Sequence, residues 1–229
     1  MPPQSAITPR RFASRAQLDA ALVQRLVEAL AAPVPGGAVI MLSGGSTPMP
    51  AYREVAARSP TPAPNLSVMF SDERYVPADS QASNAYQARA LLSALALPAA
   101  SVLRVRTELS LADAAKDYEQ RIDALLLAGA KFTLGLLGLG ADGHTASLFN
   151  GGDLERAKGR RAIAVDRPDG MQAISVTPEV LAHFSELLFV VAGAGKQGAV
   201  QSLLGCDPSL TAFRAIESRA RTEVWLAEI

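Results

Sequence analysis

The sequence predicts one three-layer α/β domain over residues 1–229, with a mostly parallel sheet held between helices. Three observations carry this. Short apolar runs rich in Val, Ile and Leu alternate with longer segments of helical period, the order expected of β-α units. The run KFTLGLLGLG (131–140) does not alternate polar with apolar residues, so its strand is expected to be covered on both faces. The polar, Gly-rich segments fall where strands end, and in such sheets ligands bind beyond the carboxyl ends of the strands.

Ser14 and Gln17 form a capping box opening a helix lined by Leu18, Leu22, Leu26 and Leu30, with Val23 and Val27 beside them. Pro33 and the Pro35-Gly36-Gly37 turn end that helix, and AVIML (38–42) reads as a buried strand. Thr47 and Pro48 supply an N-cap and a proline at the first helical position for a helix to about Arg58. The Pro-rich turn SPTPAP (59–64) leads into the strand LSVMF (66–70). Residues 84–96 and 111–128 have helical period, and the strand 131–140 follows. Shorter strands are expected at AIAV (162–165), AISVT (173–177), LLFVVA (187–192) and TEVWLA (222–227), with helix starts at Thr177-Pro178 and Asp207-Pro208. No repeat, low-complexity tract or linker divides the chain.

Composition narrows the function classes. Hydrophobic residues make up 49% and charged residues 19%, enough for a core and the opposite of a disordered balance. Lys+Arg and Asp+Glu are both 22, so no basic excess draws nucleic acid or an anionic membrane, and a bound anion needs a local cluster of cations. The single Cys206 excludes an intrachain disulfide and a multi-cysteine metal site, which fits a reducing compartment. MPPQSAITPRRF offers no signal-peptide core, and the longest apolar stretch is too short to span a bilayer. A soluble cytoplasmic protein is expected.

Four polar loops follow the strands and would line one cleft: SGGST, SDER, GLGADGHT and GAGK. In Ser43–Thr47 the glycines let an anion approach the backbone, hydroxyls donate, and a helix N-terminus adds its positive dipole. The same residues also suit an unliganded strand-to-helix turn. Two GxGxxG matches, at Gly138–Gly143 and Gly193–Gly198, raise a dinucleotide site, but Asp142 and His144 stand where a pyrophosphate needs bare backbone. His144 also replaces the lysine a P-loop would require, and no G-x-S-x-G elbow is present.

Asp142, Gly143, His144 and Thr145 form the most informative tetrad. A histidine beyond an apolar strand, with an ordinary pKa near ~6.5, can take and return a proton at neutral pH, and a nearby carboxylate can orient its ring. A capped helix start with a packing histidine is the alternative. Arg74 offers a planar fork to a phosphate, with Asp72 able to hold it or bind sugar hydroxyls; a local salt-bridged turn explains them equally well. Lys196 is either a second phosphate cation or a solvated surface lysine. His183 and Cys206 read as packing residues.

Taken together, MLSGGSTPMPAY, SDERYVPADSQASNAYQAR and LGLLGLGADGHTASLF, with VVAGAGKQGAV, resemble the glucosamine-6-phosphate isomerase/6-phosphogluconolactonase family, and within it the lactonase branch. The motifs run in order from about residue 38 to residue 204. The resemblance implies a Rossmann-like α/β fold, hydrolysis of 6-phospho-D-glucono-1,5-lactone in the pentose phosphate pathway, and neither a metal nor an organic cofactor. By motif it makes His144 the general base, with Asp142 assisting. It makes Arg74 and Lys196 phosphate ligands beside Gly44, Gly45, Ser46 and Thr47, and has Asp72 and Asn84 shape the pocket. Backbone amides around Gly143 and Thr145 are the candidates to meet the oxyanion. The implied partner is a small phosphorylated sugar lactone, without nucleic acid or membrane, and a monomer is compatible with the sequence.

Two departures stand out. Where many relatives carry an Arg before ISVTP, this chain has Ala173, so one cationic contact is absent or comes from elsewhere. Asn150 stands where a Pro is usual after SLF. The sugar-phosphate isomerase/deaminase branch is the nearest rival, but it typically shows DEY and a FNEP-like sequence whose Glu assists the chemistry. Here the residues are Phe149, Asn150, Gly151 and Gly152. A non-catalytic sugar-phosphate sensor would keep the phosphate loops and have no need of His144.

Overall fold

The computed structural model describes residues 6–218 and 221–229; the first five residues, part of the segment read for a signal core, lie outside them. In chain order the elements are β1 (Ala6–Arg11), α1 (Arg15–Ala31), β2 (Ala38–Leu42), α2 (Met49–Arg58), β3 (Ser67–Phe70), β4 (Asp72–Arg74), α3 (Asn84–Gln87), α4 (Arg89–Leu95), β5 (Val102–Leu103) and α5 (Leu111–Leu127). There follow β6 (Lys131–Leu137), α6 (Gly151–Arg156), β7 (Ala162–Asp166), β8 (Gln172–Val176), α7 (Pro178–Leu181), β9 (Glu186–Ala192), α8 (Gln197–Leu204), α9 (Thr211–Ile216) and β10 (Arg221–Ala227).

Seven strands form one sheet in the order β1-β10-β9-β6-β2-β3-β5, with every neighbouring pair parallel. The chain winds outward from β2 through β3 to β5, then returns to lay β6 on the other side of β2 and continues through β9 and β10. The winding therefore reverses between β2 and β6, where the loops beyond adjacent strands part and leave a crevice. Among the named strands antiparallel pairing is confined to the small sheet β4-β8-β7.

The continuous apolar runs follow from burial on both faces. Val39 and Met41 pack on one side with Tyr118 and Phe184, and Ile40 and Leu42 on the other with Leu18, Leu22 and Tyr52. Helices α1, α2 and α4 cover the second side, while α5, α7, α8 and α9 cover the first together with Ile163 and Ile174 of the small sheet. Two buried tyrosines grip the strand ends from opposite sides. Tyr52 of α2 donates to the Ser43 carbonyl at 3.0 Å and accepts from the Ser43 N–H at 3.1 Å. Tyr118 of α5 donates to the Phe70 carbonyl at 2.6 Å and accepts from the Phe70 N–H at 3.0 Å. Burial drives both phenols well above the ordinary tyrosine range, so they remain donors.

Several local expectations need correction. β1 has no sequence signature because Pro9 sits in it, and it is tolerated because β1 is an edge strand paired only to β10. Thr47 does not cap α2: Pro48, at φ −81 and ψ −13, already has helical backbone and takes the N-cap position, with no side-chain cap. The helix expected over 84–96 is two short ones that part at Ala88, where ψ is 0. No helix starts at Asp207-Pro208, because the Asp207 carboxylate accepts from the Ser209 N–H at 2.9 Å and holds a turn, and α9 begins at Thr211. Asn150 caps a helix the sequence did not announce, accepting from the Asp153 N–H at 3.1 Å while Asp153 accepts from Asn150 in return. Among the described residues no helix is long and apolar enough to cross a membrane.

Candidate functional site

A cavity of about 230 Å³ opens at the winding reversal. All four expected loops reach it. Its wall includes the loop Ser43–Pro48 after β2, Asp72 and Arg74 of β4, Asn84, His144, and Lys196 after β9. Gly44, Gly45, Ser46 and Thr47 are thus brought together as the motif implied.

Arg74 and Asn84 are tied to each other, the Arg74 Nη1 donating to Asn84 Oδ1 at 2.7 Å and to the Ala82 carbonyl at 3.0 Å. Both partners are neutral, so the guanidinium keeps its full charge for the cavity, and its buried Nε has no protein partner. Asp72 is buried, and its carboxylate accepts from Ser71 Oγ at 2.9 Å and Ser147 Oγ at 2.7 Å, again neutral donors. The Lys196 Nζ donates to the Leu139 carbonyl at 2.7 Å, and burial holds the pKa of this lysine below its ordinary range. The solvated-surface alternative for Lys196 does not describe this environment.

His144 Nδ1 lies 2.5 Å from Asp142 Oδ1. Burial opposes the charge on Asp142, but the hydrogen bond and charge of His144 outweigh it and hold the carboxyl below its ordinary range. An ionised carboxylate only accepts, so Nδ1 carries the proton and Nε2 is left as the basic nitrogen. The ring is further fixed by Phe149, at 4.5 Å between centroids. Gly140 makes room for this pair, since a Cβ there would overlap His144 Nδ1 and Asp142 Oδ1.

Two expected ligands do not reach the cavity wall. The Gly143 N–H donates to the Gly140 carbonyl at 3.1 Å, and the His144 N–H to Asp142 Oδ1 at 3.3 Å. Thr145 is buried, with its hydroxyl on the Gly138 carbonyl at 2.9 Å. These groups build the loop that carries His144, and two of the amides expected to meet an oxyanion, those of Gly143 and His144, are already used.

Sequence reasoning missed Glu73, Ser147 and Arg167. Glu73, between Asp72 and Arg74, points to the opposite side and accepts from the Asn84 N–H at 2.6 Å and the Ala85 N–H at 2.9 Å, fixing α3 to β4. Ser147 joins Asp72 to Arg167, which lines the cavity from the turn between β7 and β8. Ala173 is fully buried opposite Arg74 in the β4-β8 ladder and brings no charge. The turn RPDG following β7 was the one visible signal for Arg167. Among the described residues no group of three or more His, Cys, Asp or Glu could hold a metal ion.

The chain is similar to the 6-phosphogluconolactonase of Synechocystis sp., at 36% identity over 203 residues, 84% of this chain and 82% of the relative. It is similar to that of Homo sapiens at 33% over 205 residues, 84% and 80% respectively. The crystal structure of 6-phosphogluconolactonase from Thermotoga maritima superposes with a TM-score of 0.77 at 26% identity, covering 97% of this chain and 100% of that one. A family model for glucosamine-6-phosphate isomerases/6-phosphogluconolactonase matches residues 13–225, which takes in every cleft loop and all the cavity-lining residues. The chain belongs to the glucosamine-6-phosphate isomerase/6-phosphogluconolactonase family.

Proposed function

We propose that this protein hydrolyses 6-phospho-D-glucono-1,5-lactone to 6-phospho-D-gluconate in the pentose phosphate pathway, as a single cytoplasmic domain without a cofactor. The observation that carries the reading is His144, oriented by Asp142, on the wall of a cavity lined by cations. The names of the relatives at 30–38% identity agree with it. Arg74, Lys196 and the Gly44–Thr47 loop bind the 6-phosphate and fix the sugar ring, and Asn84, itself anchored on Asp72, holds Arg74 in place. Nε2 of His144 removes a proton from water as the water oxygen attacks the lactone carbonyl. Asp142 stabilises the imidazolium that results, and that proton passes to the ring oxygen as the C–O bond breaks. The acid product then ionises, so each turnover releases one proton.

Among the described residues the segment just after Phe149, 150–156, leaves no carboxylate free to serve an isomerase or deaminase. Asn150 is spent on the α6 cap, and the buried Asp153 on that cap and on Arg156. The test is proton release by the purified protein with fresh lactone, corrected for spontaneous hydrolysis. Release above the spontaneous rate is expected. Ammonia from glucosamine 6-phosphate, with no lactone hydrolysis, would overturn the reading.

A further inference from the structure

Arg167 starts the turn between β7 and β8, which its own backbone closes: its N–H donates to Met171 at 2.8 Å and its carbonyl accepts from Gly170 at 3.0 Å. The side chain leaves that turn and enters the cavity wall, where only 12% of it is exposed. Its guanidinium carbon lies 5.4 Å from the centroid of the Phe149 ring. Nη1 donates to Ser147 Oγ at 3.2 Å, and Nη2 to Asp169 Oδ2 at 2.8 Å. Nε donates to both Asp169 oxygens at 3.2 Å. A guanidinium has five N–H groups, so these contacts leave one each on Nη1 and Nη2.

Charge decides what this edge is suited to. Three cations, Arg74, Lys196 and Arg167, and one carboxylate, Asp72, line the cavity, leaving the lining two charges positive, with Asp169 at the rim paired to Arg167. A phosphate monoester carries about −1.5 to −2 at neutral pH. Without Arg167 the wall would offer half of that balance. Ser147 donates to Asp72, so Arg167 and Arg74 approach Asp72 from two directions. The hydrogen bond from Arg167 holds the Asp169 carboxyl below its ordinary range, and the charge of Arg74 reaches it as well, so the two arginines share one field.

We propose that Arg167 is a specificity-determining residue that joins Arg74 in a two-guanidinium clamp on the substrate phosphate. The identity of the phosphate ester rests on the lactonase reading; the clamp itself requires only a sugar phosphate. Asp169, at the exposed rim, holds the guanidinium and competes with the phosphate for it.

The test is calorimetric titration of wild type, Arg167→Gln, Arg167→Lys and Asp169→Asn with 6-phospho-D-gluconate, with D-gluconate as the unphosphorylated control and a melting curve for each variant. Arg167→Gln is expected to weaken 6-phosphogluconate binding by roughly tenfold or more, the scale of one charge-assisted contact. D-gluconate binding stays unchanged. Arg167→Lys recovers part of the loss and keeps the test available if Arg167→Gln fails to fold. Asp169→Asn binds as tightly as wild type or more tightly. Wild-type affinity in Arg167→Gln would overturn the clamp, as would an equal loss toward D-gluconate. So would an Asp169→Asn loss as large as that of Arg167→Gln, which would make Arg167 a staple of its turn. If wild type binds 6-phosphogluconate without hydrolysing the lactone, the lactonase reading fails and the clamp stands.

Discussion

Gly44 and Asn84 approach so closely that a single methyl group on Gly44 would overlap the Asn84 carboxamide. Asn84 cannot withdraw, because its Nδ2 donates to the Asp72 carbonyl at 2.9 Å and its Oδ1 receives Arg74 at 2.7 Å. Gly44→Ala must therefore displace either the phosphate loop or Arg74. Overpacking of this kind costs about 1–3 kcal/mol. Steady-state kinetics should show the loss mainly in KM, since phosphate contacts are remote from the bond broken. A KM equal to wild type would mean that the loop yields without disturbing Arg74.

His144→Asn should lower kcat by about two to four orders of magnitude, the usual scale of general-base loss, while binding of 6-phosphogluconate changes far less. Asp142 is held below the ordinary carboxylate range, so it stays ionised and keeps the His144 ring oriented on acidification. The wild-type rate should then fall toward acid pH with one ionisation rather than two. A folded His144→Asn variant with wild-type turnover would remove His144 from the mechanism and leave Asp142 as the next base to test.

Lys196 supplies a pH signature on the alkaline side. Burial lowers its pKa, so it loses its proton before an ordinary lysine, which titrates near about 10.4. Affinity for 6-phosphogluconate should decline as pH rises through that lowered value, and Lys196→Gln should abolish the decline. Stability moves the other way: the unfolded chain binds the proton more tightly, so the folded state gains as pH rises through the same interval. Equal pH profiles for wild type and Lys196→Gln would separate Lys196 from the phosphate.

Glu73 acts on stability and through it on the site. Burial pushes its carboxyl above the ordinary range, although the Ala85 and Asn84 N–H groups partly offset this. A raised carboxyl pKa means that the folded state holds the proton longer, so stability falls as pH rises from the ordinary glutamate value through the raised one. Glu73→Gln keeps the size but turns one acceptor into a donor facing backbone N–H groups. The expected cost is about 1–3 kcal/mol, with the pH dependence in that interval flattened. Thermal melts of both proteins across the acid range check this, and parallel curves would refute it.

What the sequence could show depended on how each residue is delivered. Strands buried on both faces leave uninterrupted apolar runs, so AVIML, LSVMF, KFTLGLLGLG and LLFVVA were legible, and the loops after them located Gly44–Thr47, Arg74, His144 and Lys196 on one edge. β1 was hidden because its pairing depends on β10, more than two hundred residues later, and its own residues include a proline. Arg167 was hidden for a different reason. It arrives from an antiparallel hairpin outside the parallel sheet, so no rule about strand ends points to it. Glu73 looked like part of a charged turn, yet strand alternation in β4 sends it to the side away from Asp72 and Arg74, where it holds α3.

A crevice in a parallel sheet is also a tear in its lattice of peptide hydrogen bonds, because strands that part can no longer satisfy each other's backbone. In this protein Tyr52 mends that tear at the end of β2, and Tyr118 does the same for the end of β3, on its side toward the short β5. Each phenol gives and receives one bond at a single residue, Ser43 or Phe70, as the next strand would have done. The ends of β2 and β3 are thus finished edges, and the loops that begin at Ser43 and Ser71 start from anchored ends. Replacing either tyrosine by phenylalanine would leave a strand terminus frayed beneath the cleft, loosening the platform without touching any cavity-lining side chain.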